Sequence, residues 1–261
     1  MSIQIHNLAL MRGSKIVLSD FSMTMSPGEF VAVLGANGAG KSSLMSALAG
    51  ELKPRTGQIT IDGVSIDLLD ALEQAQRRAV LPQQPSLDFA LRVSDVVMMG
   101  AYPFEQAAPD EAAQWVGRAI ARLSLEPLAG TRYTALSGGE QQRVQLARVL
   151  VQCFAIEATH GFAYILLDEP LSSLDPKHQI LCMRTLAELS KTGHVGVLVV
   201  LHDLNMAAQF CDKLVLLAQG RLIAQGSPDE VLIPAALEQA YDLPMTVVPH
   251  PLDPGRLLVL N

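Results

Sequence analysis

The sequence predicts an α/β protein into which a helical subdomain is inserted. Both flanks of the chain alternate short strands with helices, and three apolar runs in the later flank lack polar alternation, as is typical of strands buried on both faces of a sheet. Between the two flanks, apolar residues recur at helical spacing and strand patterns are missing. We therefore expect one domain, with an α/β core at residues 1–84 and 152–261 and a helical subdomain at residues 85–151.

The individual elements follow from apolar runs bounded by turn residues. In the first part of the chain we expect strands at residues 16–18, 21–25, 30–34 and 58–61. Further along, strands of a parallel sheet are expected at residues 164–167, 197–201 and 213–217. Apolar residues spaced three or four apart predict helices at residues 42–49, 110–123 and 138–151.

Composition narrows the class of protein. Of the 261 residues, 49% are hydrophobic and 17% are charged, and the net charge is −7. This balance excludes a disordered chain and argues against nucleic acid as a partner, because phosphate backbones are bound by surplus Lys and Arg. No apolar run reaches the ~20 residues of a membrane span, and no secretory signal is found. The three cysteines are far apart, so we expect reduced, buried thiols.

A phosphate-binding loop is predicted directly after the strand at 30–34. Residues 35–42 read Gly-Ala-Asn-Gly-Ala-Gly-Lys-Ser, which fits G-x-x-x-x-G-K-[ST] between a strand and a helix. The N–H groups of such a loop point at phosphate oxygens, and the helix N-terminus adds positive potential. Lys41 is expected between the β- and γ-phosphates of ATP, and the Ser42 hydroxyl on Mg²⁺. The predicted nucleotide-binding residues of this loop are Gly35, Asn37, Gly38, Gly40, Lys41, Ser42 and Ser43.

Two carboxylates end the strand at 164–167. Asp168 is expected to reach the Mg²⁺ shell from a neighbouring strand. Glu169 follows directly and is expected to polarise an attacking water as the general base. A solvated loop is the alternative for such a pair, but the phosphate loop favours the catalytic interpretation.

A glycine-containing motif precedes the helix at 138–151. Residues 136–140 read Leu-Ser-Gly-Gly-Glu, in which Ser137 and Glu140 have the spacing of a capping box. Gly138 and Gly139 would let a phosphate approach amides at the helix start. In their order along the chain, the phosphate loop, this motif and the strand ending in two carboxylates resemble the ATP-binding subunits of ABC transporters. The resemblance covers nearly the whole chain and implies a P-loop NTPase (RecA-like) core with an antiparallel β subdomain and an inserted helical subdomain.

The resemblance also implies roles for single residues. Gln83 matches a glutamine that contacts Mg²⁺ and the attacking water, Asp175 matches a loop that crosses between subunits, and His202 matches a histidine that hydrogen-bonds the γ-phosphate. Each has a structural alternative, namely a loop amide, a helix cap before Pro176 and a histidine at a strand end. Arg12 stands where the family stacks an aromatic ring on adenine. Its guanidinium can stack in the same way, and an ordinary surface arginine is the alternative.

The family's architecture implies partners. We expect a head-to-tail homodimer in which each ATP lies between residues 35–43 of one chain and 137–140 of the other, and hydrolysis separates the chains. The dimer would drive two transmembrane permease subunits from the cytoplasmic face of the inner membrane, with a periplasmic substrate-binding protein involved indirectly. Apolar residues 85–89 and 96–104 are candidates for the permease contact. Packing inside the helical subdomain is the alternative, and Pro103 is expected to break any helix.

The cargo follows from subgroup features alone. Pro82 and Gln83, with the spacing from Val96 to Pro103, are similar to importers of metal chelates, and residues 149–163 are longer than usual, as in hemin import. We expect hemin, with a ferric siderophore or vitamin B12 as alternatives. Two other classes compete: a P-loop ATPase without a membrane partner, and a small-molecule kinase in which residues 137–140 are only a helix cap.

Overall fold

The structure of the chain, a computed structural model, describes residues 1–83 and 87–260. Its strands are β1 (Ile3–Arg12), β2 (Lys15–Met25), β3 (Phe30–Leu34), β4 (Thr56–Ile61), β5 (Val64–Ser65), β6 (Arg78–Leu81), β7 (Ala163–Asp168), β8 (Val195–Val200), β9 (Lys213–Ala218), β10 (Arg221–Gly226), β11 (Thr246–His250) and β12 (Asp253–Leu260). Its α-helices are α1 (Lys41–Leu48), α2 (Ala71–Ala75), α3 (Val93–Met98), α4 (Pro109–Arg122), α5 (Gly138–His160), α6 (Pro176–Ser190), α7 (Leu204–Phe210), α8 (Pro228–Val231) and α9 (Pro234–Tyr241).

The central sheet has the strand order β10-β9-β3-β8-β7-β6. The five strands from β9 to β6 run parallel to one another. Leu167 of β7 lies opposite Leu81 of β6 on one side and Val199 of β8 on the other. Apolar residues occupy both faces of these strands: in β3, Phe30 packs into one core and Val31 into the other. This two-sided burial explains the missing alternation in the sequence and confirms the predicted parallel sheet.

A second sheet covers one face of the first and is antiparallel, in the order β2-β1-β4-β5. It forms a core with α1, which confirms the antiparallel β subdomain. The predicted strands 16–18 and 21–25 are one strand, β2. Between them the ladder is irregular and Asp20 has φ +51°, so Ser19 and Asp20 form a bulge within one continuous strand.

The helical region is larger than predicted. Helix α5 continues to His160, nine residues past the expected end, because Phe154 and Ile156 extend its buried face; it ends at Gly161 with φ +80°. The helix thus crosses residue 151, and the division of the chain there stays a prediction. Pro103 does not prevent a helical turn, since a 3₁₀ helix spans Met99–Phe104 and includes it.

The C-terminal part forms more structure than the sequence patterns indicated. After β10, helices α8 and α9 precede the antiparallel hairpin β11–β12, which packs on α7. The cysteines Cys153, Cys182 and Cys211 are free and buried, as expected. Among the helices in the described part of the chain, none has the length and apolarity needed to cross a bilayer.

Candidate nucleotide-binding site

The predicted site residues converge at one edge of the central sheet. The phosphate loop follows β3, Gln83 follows β6, Asp168 ends β7, and His202 lies two residues beyond β8. These four strands run parallel, so their carboxyl ends meet at the same edge, where open α/β sheets bind ligands.

The phosphate loop is shaped by its first glycine and closed by its lysine. Gly35 has φ +142°, and a Cβ on it would collide with the carbonyl oxygen of Leu217, so only glycine fits there. The Lys41 Nζ donates to the carbonyl oxygens of Gly35 and Ala36, at 2.6 and 3.1 Å. Burial lowers the pKa of Lys41, while the negative charge of Glu169 and then that of Asp168 oppose this shift. The loop therefore holds a partly desolvated cation at its centre.

Asp168 carries a carboxylate whose hydrogen bonding is incomplete. The residue is 6% exposed, and its Oδ1 is buried without a hydrogen-bond partner among the described residues. Burial raises its pKa, and the neighbouring charge of Glu169 raises it further. A hydrogen bond with Ser42 is the main opposing cause. Since an unpaired buried carboxylate oxygen is costly, its position beside a hydroxyl marks a place for a cation.

Glu169 and His202 are brought together from adjacent strands. His202 Nε2 lies 2.7 Å from Glu169 Oε1, and their side chains are 50% and 15% exposed. Glu169 has φ +51°, a left-handed conformation that costs of order 1 kcal/mol or more in a non-glycine residue and recurs at active sites. A cavity of about 120 Å³ adjoins the pair. Two groups able to exchange a proton thus face one small space.

Arg12 and Gln83 border the site. The Arg12 guanidinium donates from Nε to Ser43 Oγ at 3.1 Å and from Nη2 to Ser46 Oγ at 3.2 Å. Arg12 is therefore held against α1 and is not an unpartnered surface arginine; its stacking on adenine stays a prediction. Gln83 is exposed just beyond β6, and its role also stays a prediction.

The capping box at the start of α5 is confirmed. Ser137 donates to Glu140 Oε2 from its Oγ at 2.7 Å and from its backbone N at 2.8 Å, and these two hydrogen bonds lower the pKa of Glu140. A Cβ on Gly139 would come within 2.8 Å of Ser173 O, whereas one on Gly138 would meet nothing within 4 Å. The helix start thus packs on the segment after Glu169, and Gly138 faces open space.

Asp175 caps helix α6. Its carboxylate accepts from His178 N at 3.0 Å, and its Oδ2 lies 2.7 Å from His178 Nδ1. The structural alternative for Asp175 is therefore confirmed, and its place between subunits stays a prediction.

Two residues near the site were missed by the sequence analysis. The Tyr241 hydroxyl accepts from Gly35 N at 3.1 Å, and Asn205 of α7 pairs with the backbone of Val259. Neither pair leaves a local sequence signal, because its partners are 206 and 54 residues apart.

This chain is similar to ABC transporter proteins along most or all of its length. The hemin import ATP-binding protein HmuV of Bordetella parapertussis is 52% identical over 260 residues, which is 100% of this chain and 99% of that protein. A solved structure described as an inward-facing metal-chelate type ABC transporter matches with a TM-score of 0.81 at 26% identity, over 99% of this chain and 96% of the other. A dimeric bacterial ABC transporter cassette matches with a TM-score of 0.75 at 26% identity, over 87% of this chain and 98% of the other.

The part of the chain that matches the family contains most of the residues of the site. The model for the ABC transporter family matches residues 18–172, which include the phosphate loop, the capping motif and both carboxylates of the β7 end. The chain belongs to the ABC transporter family, as one of its ATP-binding subunits.

Proposed function

We propose that this chain hydrolyses ATP to power the import of hemin, as the peripheral subunit of a transporter on the cytoplasmic face of the membrane. The observation that carries the proposal is the 52% identity to a hemin import ATP-binding protein along the entire chain. The convergence of the phosphate loop, Asp168 and the Glu169–His202 pair at one sheet edge supplies the chemistry.

Each group at the sheet edge has a role in hydrolysis. Lys41 and the amides of residues 35–43 would hold the phosphates. The carboxylate of Glu169 would take a proton from the attacking water, and His202 would hydrogen-bond the terminal phosphate. For both roles the 2.7 Å contact between Glu169 and His202 has to open when the nucleotide enters. Arg12 would stack on adenine, its plane oriented by Ser43 and Ser46.

The residues around Asp168 fit Mg²⁺. Oxygen ligands suit this ion, and the Asp168 carboxylate combines an unpaired Oδ1 with a hydrogen bond to Ser42. Asp168 and Ser42 would hold the ion, with Gln83 at the rim. When bound, Mg²⁺ neutralises charge on the phosphates.

Two chains would enclose two ATP molecules at their interface, with Asp175 near the subunit boundary. The supporting observation is at the start of α5, where Gly138 and Gly139 follow the cap Ser137 with their backbone N–H groups in the first helical turn, and the Gly138 side faces open space. A dimeric cassette is among the similar structures, which supports the pairing of two chains.

We expect Gly138→Asp to leave the monomer folded and able to bind ATP while preventing ATP-dependent dimerisation. A carboxylate at the helix N-terminus is favourable for the helix, and nothing lies within 4 Å of the new Cβ, yet its charge would repel the partner-bound phosphate. Size-exclusion chromatography with ATP measures the dimer, and phosphate release should fall at least ~10-fold.

The matched control is Gly138→Asn, which has the same size without the charge and should retain more dimer than the aspartate. An ATP-induced dimer of Gly138→Asp equal to that of the unsubstituted chain would show that residues 137–140 are a helix cap alone. That result would favour the kinase alternative.

The permease subunits would bind an exposed groove in the helical region. The groove has a volume of about 840 Å³ and lies between α2, the turn at Met99–Phe104, α4 and the end of α5. Tyr102 on its wall is 74% exposed. Val96 and Val97, by contrast, are fully buried, so this part of the predicted contact segment is subdomain core. Pro85 and Ser86 of the segment 85–89 lie outside the described residues.

The cargo is tested with the assembled transporter. The chain is co-expressed with the two permease subunits that co-purify with it, reconstituted in vesicles with the binding protein, and assayed for ATP-dependent uptake. Hemin should be accumulated and should stimulate hydrolysis, while a ferric siderophore and vitamin B12 should not. Uptake of either of those instead of hemin would replace the proposed cargo, and phosphate transfer to a small acceptor would refute the transporter function.

A further inference from the structure

The C-terminal segment, residues 241–260, contacts two elements that lie near the predicted terminal phosphate, namely the phosphate loop and the start of helix α7. Tyr241 touches the phosphate loop, and Val259 touches the helix that follows His202. A cavity of about 370 Å³ lies between these contacts and is lined by residues of both, among them His202, Asn205, Tyr241 and Val259.

The Tyr241 contact continues through Gly35 to Lys41. The Gly35 N–H donates to the Tyr241 hydroxyl at 3.1 Å, and the Gly35 carbonyl accepts from Lys41 Nζ at 2.6 Å. Gly35 takes part in both hydrogen bonds, and its φ of +142° turns the backbone from β3 into the loop. A displaced Gly35 would therefore move the acceptor that holds the lysine ammonium.

Tyr241 is itself firmly placed. It is the last residue of α9, whose Leu237 and Ala240 are buried in the larger core, and Asp242 ends the helix in a left-handed conformation. Burial raises the pKa of Tyr241 to about 12, so the hydroxyl stays neutral at physiological pH and accepts the bond without adding charge near the phosphates.

The second contact fixes the start of α7. Asn205 Oδ1 accepts from Val259 N at 2.7 Å, and Asn205 Nδ2 donates to Val259 O at 3.1 Å, as a neighbouring strand would do. Arg256 of the same hairpin donates to Ala208 O at 3.3 Å. Since α7 begins two residues after His202, the hairpin sets the position from which this histidine projects.

We infer that the C-terminal segment preorganises the nucleotide site, with Tyr241 as a positioning residue for the phosphate loop and the Asn205–Val259 pair as a support for His202. Tyr241, Asn205 and Val259 have no contact with the reacting atoms in this proposal. The inference rests on the proposed nucleotide site and is independent of the cargo.

The test is Tyr241→Phe in the full-length chain. The substitution keeps the ring in place and removes the acceptor of Gly35 N, so the loop must be ordered by the nucleotide itself. We expect the Kd for ATP, measured with a fluorescent nucleotide, to rise about 3- to 10-fold, as for a lost hydrogen bond, with kcat close to that of the unsubstituted chain. A Kd within twofold of the unsubstituted value would overturn the role of Tyr241.

Tyr164→Phe is the matched control. It also removes a hydroxyl contact, here with Asp62 Oδ1 at 3.1 Å, but away from the phosphate loop and the start of α7. Its Kd for ATP should not change, although its Tm should fall at least as much as that of Tyr241→Phe. Equal weakening of ATP binding in both variants would indicate a general structural effect and would also contradict the inference.

Asn205→Ala tests the second contact. If Tyr241→Phe does not fold, this variant still tests whether the C-terminal segment preorganises the nucleotide site. It should lower kcat several-fold while leaving the KM for ATP unchanged, because His202 is displaced and the phosphate loop is not. An unchanged kcat would overturn this part. Absence of ATP binding by the unsubstituted chain would instead refute the proposed function.

Discussion

Replacing Glu169 by Gln is expected to preserve ATP binding and to reduce turnover at least ~100-fold, the usual contribution of a general base. The amide keeps the size and the contact with His202 but cannot accept a proton. Since ATP would then remain intact between two chains, the variant should accumulate as an ATP-bound dimer. Phosphate release measures turnover, and light scattering with ATP measures the dimer.

The control is Glu188→Gln, whose carboxylate is exposed on α6 and paired with Arg122 at 3.3 Å. An exposed pair of this kind contributes little, so turnover and stability should remain near those of the unsubstituted chain. Turnover of Glu169→Gln above one-tenth of the unsubstituted value would exclude Glu169 as the base.

Replacing Lys41 by Ala is expected to weaken ATP binding ~100-fold or more, because the loop loses the one cation buried inside it. The ligand-free fold should be retained, since removing a partly desolvated ammonium also removes its desolvation cost. At an ATP concentration 100 times the unsubstituted Kd, the ligand-induced stabilisation should fall from about 2.7 kcal/mol to ~0.4 kcal/mol. Thermal unfolding with and without ATP measures this difference.

Lys191→Ala is the control for the loss of a positive charge, since Lys191 is exposed at the end of α6. It should keep the full ATP-induced shift in Tm. A shift of Lys41→Ala equal to that of the control would contradict the phosphate-binding role of the loop.

Sequence patterns did not predict the bulge in β2, the end of helix α5 or the hairpin β11–β12. The sequence predicts two strands in place of β2 because the polar residues of the bulge, Ser19 and Asp20, interrupt the apolar run. The sequence places the end of helix α5 too early because residues 153–156 are buried one after another, so the apolar residues there lose their helical spacing. The hairpin β11–β12 has short, half-buried strands with a proline in each, which do not stand out as strands.

The parts of the site that are contiguous in the chain could be predicted from the order of the amino acids. A phosphate loop, a capping box and a strand ending in two carboxylates are each produced by the torsions and hydrogen bonds of neighbouring residues, so their letters suffice to predict them. The resemblance to ABC transporters added Gln83, Asp175 and His202, whose types alone would not have singled them out.

Which of these parts contact one another depends on how the whole chain packs. The contact of Glu169 with His202, the unpaired Asp168 oxygen beside Ser42, and the support of Gly35 by Tyr241 all join residues from different strands or helices. Such contacts depend on strand order and on the packing of two cores against one sheet. These are properties of the whole chain, because each residue's neighbours are set by burial elsewhere and leave no local pattern.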